Sequence, residues 1–447
     1  MTEVQAGAAV VEITPGVGIA MAGYGARQGV ATGIHDPLCA RALVLDDGQT
    51  ALALVVCDLV GVPAALTRQA RELIAHECGI QAANVCIAAT HTHSGPLLRG
   101  PESDALIAVT ARKICGAVQM ARQQMRPVTL KTTRTNLETI AQNRRHPDGP
   151  IATTATILLA APRGSGAPVA TLVNYACHAT VLEHDNLLYS ADFPGVAVRL
   201  IERAVGGSGI YMQGAAGDIN PVWMRHDFDE AERIGGILGA AAARAALELR
   251  PLGEGQWAVN LSWSELTPKE PPHGMVLSDV RLRAVRSVLE LPYRSFPPRA
   301  EIEREIEDLT RRLAALSDEA LTERRALRPL LNQRRAELAT LDLYAPQPGR
   351  TRAVEIQAMR IAAECAIVAL PGEFLIETGQ EIARRCGVAY PLICGYANDY
   401  LSYFPAPHHV PEAGYEVGRA LFAPEATETI AAGAVELVRA LYEEEKQ

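Results

Sequence analysis

What most constrains this chain is the alternation, over its first two hundred residues, of short apolar runs with segments of helical period. Apolar runs at 42–45, 51–57 and 84–89 carry β-branched side chains and end at turn residues, whereas 63–78 repeats its apolar positions at helical spacing. A helix is predicted at 104–124, strands at 153–160 and 169–175, a helix at 193–205 and a strand at 210–213. Such alternation predicts an α/β fold, with mixed sheets layered with helices. Farther on, an alanine-rich helix is expected at 227–249, strands at 256–263, 353–359, 363–370 and 391–394, and a helix at 374–385. Residues 299–340 differ in kind. Dense in Glu and Arg, with Ile302, Ile306, Leu309, Leu313 and Leu316 at helical spacing, they read as a helical hairpin broken near Ser317 and Asp318. The hairpin is expected to be an insertion within a single unit spanning 1–447, a solvated prop or dimerisation arm rather than a lid over a ligand.

With 48% hydrophobic residues, the 447-residue chain can bury a large core. A formal charge of −9 argues against nucleic acid as a partner, because phosphate binding needs a clustered basic surface. The first residues lack the basic and apolar regions of a secretory signal, and no window is long and apolar enough to span a bilayer. Cytoplasmic residence without stable membrane insertion is therefore expected. Nine cysteines with no Cys-x-x-Cys pair read as reduced core residues. No Gly-rich phosphate loop follows a strand.

Four places could carry chemistry. His91 and His93 follow the apolar run 84–89 in Thr90-His-Thr-His-Ser-Gly-Pro96, and if the strand geometry persists they point to the same side. His178 follows the run 170–176, Glu373 follows 363–370 at the start of a helix, and a tyrosine-rich segment runs from Tyr396 to Tyr403 with Tyr415 beyond it. Each has a bland alternative: polar loop residues, a satisfied core histidine, a first-turn glutamate favoured by the helix dipole, and buried phenols bonded to backbone. His35-Asp36-Pro37 reads as a turn, and His184-Asp185 and His226-Asp227 as loop pairs.

Taken together and in order, these segments resemble the catalytic domain of the neutral ceramidases, zinc amidases that cleave the N-acyl bond of ceramide. The resemblance runs through Ala6-Gly-Ala-Ala-Val-Val-Glu-Ile-Thr-Pro15, Met21-Ala-Gly-Tyr-Gly25, the block 33–45, Thr90 to Pro96, Asn143-Arg144, His178, Gly217-Asp-Ile-Asn-Pro221, Pro371-Gly-Glu373 and the tyrosine segment. It implies a neutral-ceramidase-like fold of the short form, without the C-terminal immunoglobulin-like domain of the long enzymes. It also implies Zn²⁺ held by His91, His178, Glu373 and Tyr403, with His93, Arg144 and Tyr415 facing the substrate. Tyr403 is preferred to Tyr400 because its separation from Tyr415 matches that of the family's metal-binding and substrate-side tyrosines.

Two departures stand out. Where the family carries a serine in Gly-Asp-Val-Ser-Pro, this chain has Asn220, which cannot form an acyl enzyme but can donate and accept hydrogen bonds at the catalytic site. Where ceramidases have a Thr-Thr and acidic run, it has 404–411, whose His408 and His409 read as a solvated loop pair, with the pocket mouth or a second metal as alternatives. Asp218 reads as an orienting group for a ligand or as a turn and cap. The resemblance implies a zinc-dependent amidohydrolase acting on the linear C–N amide of an N-acylated small molecule through metal-activated water. A zinc esterase or lactonase and a non-catalytic metal-stabilised binding protein are the alternatives, and a homo-oligomer is the remaining partner.

Overall fold

The computed structural model describes residues 3–137, 139–163, 166–249, 274–317, 320–346 and 349–443; the strand predicted at 256–263 lies outside them. The larger sheet runs in the order Ser208–Gln213, Ala170–Tyr175, Thr154–Pro162, Arg126–Asn136, Gln5–Glu12, Cys39–Asp46, Ala51–Cys57, Val85–Ala89. A smaller sheet runs Arg283–Pro292, Thr351–Ala362, Cys365–Ala369, Tyr390–Cys394. Both sheets mix antiparallel with parallel pairs, as the alternation predicts.

The two-residue period of a strand explains how four layers form. In Ala51–Cys57, Leu52, Leu54 and Val56 face one way and join Met359, Ile361, Ile367 and Leu392 of the smaller sheet in a core between the sheets. Ala53, Val55 and Cys57 face the other way, onto Leu66, Ala70 and Ile74 of the helix Ala64–Cys78 and Ile114 and Val118 of the helix Asp104–Gln123. The helices Asp192–Val205 and Phe228–Glu248 cover Ile157, Leu159 and Val173 on the rest of the larger sheet. Their axes come close because Gly235 and Gly239 lie against the backbone of Phe193 and Ala197, where a methyl group would collide. The outer face of the smaller sheet is closed by Ile376–Arg385 and Glu425–Glu443, through Ile382, Ile430, Val435 and Val438. Each fully buried Leu, Ile or Val contributes roughly 1.5–3 kcal/mol, and strands buried on both faces explain the continuous apolar runs.

The hairpin consists of Arg299–Ala315 and Leu321–Tyr344 and joins two neighbouring antiparallel strands of the smaller sheet, whose Pro292 and Thr351 face each other. It is not a detached prop. Beyond its own seam of Leu309, Leu327 and Leu331, its second helix lies on the short helix Tyr415–Arg419: Thr340 donates to the Gly418 carbonyl at 3.2 Å, and a methyl on Gly418 would collide with Gln333 and Ala336.

Candidate metal centre

Within the two main sheets strands pair in parallel at three places, and the chain beyond their carboxyl ends supplies the site. Beyond Ala51–Cys57 and Val85–Ala89 lie Val60, His91 and His93; beyond Ala170–Tyr175 and Ser208–Gln213 lie His178, Asp218 and Asn220; beyond Cys365–Ala369 and Tyr390–Cys394 lie Glu373, Tyr400 and Tyr403. Carboxyl ends of parallel strands are where open α/β sheets hold ligands. Two local expectations need correcting. The strand geometry does not persist to His93, because His91 is left-handed at φ 66°. Nor does Glu373 open a helix: Glu373–Phe374 is a two-residue strand, parallel to Tyr403–Phe404 with Glu373 opposite Tyr403, and the helix begins at Ile376. The Pro371-Gly372 turn accounts for the difference, since it resets the backbone before the next buried ladder.

His91 and His178 are fully buried, and each commits its Nδ1 proton to backbone: His91 to the Val60 carbonyl at 2.5 Å, His178 to Ala216 at 2.6 Å and Ile219 at 3.1 Å. The opposite nitrogens then face one carboxylate oxygen, with Glu373 Oε2 3.5 Å from His91 Nε2 and 3.2 Å from His178 Nε2. Lone pairs held this close in a dry interior require positive charge among them, a proton or a cation. Burial opposes the proton: it pushes the His91 pKa down to about 3 and that of His93 well below its usual value. The pKa of Glu373 is lowered despite its burial, and the Tyr400 hydroxyl donates to its Oε1 at 2.5 Å, so the group stands as a carboxylate. Neutral imidazoles and an anionic carboxylate are what a borderline divalent cation takes as ligands, and carbonyl-locked Nδ1 atoms are the outer contacts that such ligands carry.

His93 joins His91 and His178 in a buried cluster able to hold a metal, with its Nε2 3.1 Å from that of His91. Yet it differs from the other two, because its Nδ1 is buried with no hydrogen-bond partner. The Tyr24 ring meets it edge-on at 4.7 Å, and Gly23, at φ 101°, lies so close that a methyl there would collide with the imidazole.

Tyr403 stands 3.5 Å from His178 Nε2 and accepts from Arg144 Nη2 at 3.1 Å. Burial and Glu373 push its pKa well up, so only a nearby cation would draw it toward phenolate. Arg144 is placed by a short ladder in which 141–143 pair with Ile219–Pro221. It donates to Glu416 at 2.7 Å and to Asn220 Oδ1 at 3.3 Å, bringing Asn220 into the site. Asp218 takes a capping role: Oδ1 accepts from the Ile376 amide at 2.8 Å, Oδ2 accepts from Asn143 at 2.9 Å, and its carbonyl accepts from the Arg144 amide at 2.9 Å.

A cleft of about 1390 Å³ opens onto His93, Arg144, Asn220, Glu373, Tyr403 and Tyr415. His184 and His226 also line it, where loop pairs were expected, and so does the second helix of the hairpin, through Asn332, Arg335, Ala339 and Leu343. His35 lies elsewhere, stacked on Phe228 at 3.6 Å. His408 and His409 sit outside the cleft around Glu377, and a metal there is disfavoured: His409 Nδ1 accepts from the Ala406 amide at 3.1 Å, which leaves its Nε2 protonated and aimed at Glu377. Sequence reasoning gave no role to Tyr24 or Glu416 and set Tyr400 aside in favour of Tyr403. Their signal was adjacency, since each lies in or beside a segment already singled out.

Residues 4–222 match the family model for neutral/alkaline non-lysosomal ceramidase, N-terminal. The crystal structure of neutral ceramidase from Pseudomonas aeruginosa matches with a TM-score of 0.73 at 21% identity, over 99% of this chain and 75% of that one. A structure of ceramidase complexed with C2 matches with a TM-score of 0.72 at 19% identity, over 99% of this chain and 76% of the other. No curated protein sequence matches the chain. Residues 4–222 thus resemble the N-terminal part of the neutral/alkaline non-lysosomal ceramidases, and over its described length the chain has the neutral ceramidase fold.

Proposed function

We propose that this chain is a zinc-dependent amidohydrolase cleaving the C–N bond of an N-acylated small molecule. The carrying observation is that His91, His178 and Glu373 converge with both imidazole Nδ1 protons locked onto carbonyls. His91, His178, Glu373 and Tyr403 would hold the ion. When bound, zinc supplies Lewis acidity that polarises a carbonyl and acidifies water.

The protein's own groups do the rest. His93, neutral and lining the cleft with its Nδ1 uncommitted, carries the proton lost by the attacking water to the leaving nitrogen. Arg144, Asn220 and Tyr415 offer donors to the carbonyl oxygen as it gains charge, each worth roughly 3–4 kcal/mol when well placed. Water adds to the carbonyl carbon, the C–N bond breaks, and acid and amine leave with no covalent enzyme intermediate, consistent with Asn220 at the serine position.

The core shared by the two sheets supports residues 1–447 acting as one catalytic unit. Nine cysteines, all buried and unpaired, support a reducing, cytoplasmic location. Among the described residues no helix is long and apolar enough to cross a membrane.

The test pairs elemental analysis with a panel of acyl amides and their ester analogues. Glu373→Ala and His178→Ala are expected to lose bound zinc and turnover, whereas His93→Ala keeps the zinc and loses about 10²–10⁴-fold in kcat. Unchanged zinc stoichiometry in both ligand variants would refute the assignment, and turnover of the esters with none of the amides would favour the esterase.

A further inference from the structure

The chain carries a formal charge of −9, yet six arginines against five carboxylates line the cleft. Four of those carboxylates are engaged. Glu416 holds Arg144 and Arg145 at 2.7 Å each, Glu412 holds Arg145 at 2.8 Å, Asp399 holds Arg352 at 3.0 Å, and Glu373 faces the histidines. The fifth, Glu183, is half-buried beside His184.

Among the described residues, three guanidinium groups of the cleft lack a carboxylate: Arg99, Arg335 and Arg419. Arg99 is otherwise occupied, lying over the Tyr344 ring at 4.4 Å and donating to the Leu343 carbonyl at 3.3 Å. Arg419 has no such outlet. It ends the helix Tyr415–Arg419, whose own acid Glu416 is spent, and its Nε is buried with no hydrogen-bond partner. Its electrostatic neighbours are the phenols of Tyr415, Tyr344, Tyr400 and Tyr403. Arg335 reaches the same cleft from the hairpin. A half-buried guanidinium whose Nε is buried without an anion is unfavourable, and its planar fork matches carboxylate and phosphate. The rest of the wall includes Met21, Pro63, Leu97, Leu98, Trp223 and Leu343, which suits an acyl chain.

We infer that the ligand of this cleft is an acyl amide bearing an anionic group, such as an N-acyl amino acid or an N-acyl phosphoethanolamine, and that Arg419, assisted by Arg335, recognises that group. Recognition of the anion stands apart from the amidohydrolase reading, on which only the cleavage of the bound amide depends.

The test is calorimetric binding, to the protein as purified, of N-decanoylglycine, N-decanoyl phosphoethanolamine and the neutral N-decanoylethanolamine. At least one anionic ligand is expected to bind tenfold or more tightly than the neutral one, and the arms tell carboxylate from phosphate. Arg419→Gln is expected to reduce that preference to within about twofold, and Arg335→Gln, on the hairpin helix, to reduce it about threefold. Equal affinities in the wild type, or a preference that survives both substitutions, would overturn the inference. So would a loss shared equally by neutral and anionic ligands. Selective binding with no turnover of any amide would refute the hydrolase and leave the anion site standing; turnover with no selectivity would do the reverse.

Discussion

At the scale of single residues, the three buried histidines of the centre are separated by one hydrogen bond each. His91 and His178 have their tautomers fixed by the carbonyls of Val60 and Ala216, whereas His93 has nothing on Nδ1. Close by, Asp58 follows the strand Ala51–Cys57 and accepts from the Cys39 amide at 2.8 Å. Burial drives its pKa up to about 6, against the pull of Arg41. In the unfolded chain it titrates near about 3.9. Because the folded value is the higher one, its contribution to stability is fully present below about pH 4 and lost as pH rises through about 6. Asp58→Asn should therefore gain about 1–3 kcal/mol on the wild type between pH 4 and pH 8, read by denaturant unfolding at both ends. A constant difference across that range would contradict the assigned burial cost. The residues of the site were legible because they follow apolar runs. The carbonyls that fix them were not, because Val60 and Ala216 lie in loops and His91 reaches its carbonyl from a left-handed backbone, neither of which periodicity reveals.

Among the elements, periodicity located most helices and strands of the larger sheet to within a few residues, since strands buried on both faces leave long apolar runs. It failed at Glu373, where a two-residue ladder looks like the start of the following helix. It also left the docking of the hairpin unseen: the contact is made by Gly418, Ala336 and Thr340, small residues with no pattern of their own. Gly418→Ala should push the helix Leu321–Tyr344 away from Tyr415–Arg419. The expected result is faster proteolysis within the hairpin and a raised KM, with bound zinc unchanged. Loss of zinc in that variant would mean that the hairpin supports the ligands themselves rather than the cleft wall.

For the whole molecule, the proposed ligand set draws His91 and His178 from beyond the larger sheet and Glu373 and Tyr403 from beyond the smaller one, so an ion bound there would tie the two sheets together. Chelation should lower the melting temperature, and added zinc should restore it in proportion to the logarithm of its free concentration, as expected for a ligand that binds only the folded state. Insensitivity to chelator would detach the cation from the fold. That sheets are layered with helices followed from the sequence, because apolar strand runs alternate with helical periods. The pairing of one sheet with the other did not, since apolar faces do not name their partners.

The meeting of three parallel strand pairs at one point has a consequence for how such a protein comes into being. His91, His93, His178, Arg144 and Asn220 all lie within residues 4–222, but the carboxylate that balances them waits until residue 373. On the proposed ligand set, a growing chain thus holds an incomplete half-site until its last third docks, so that metal capture would mark the completion of assembly.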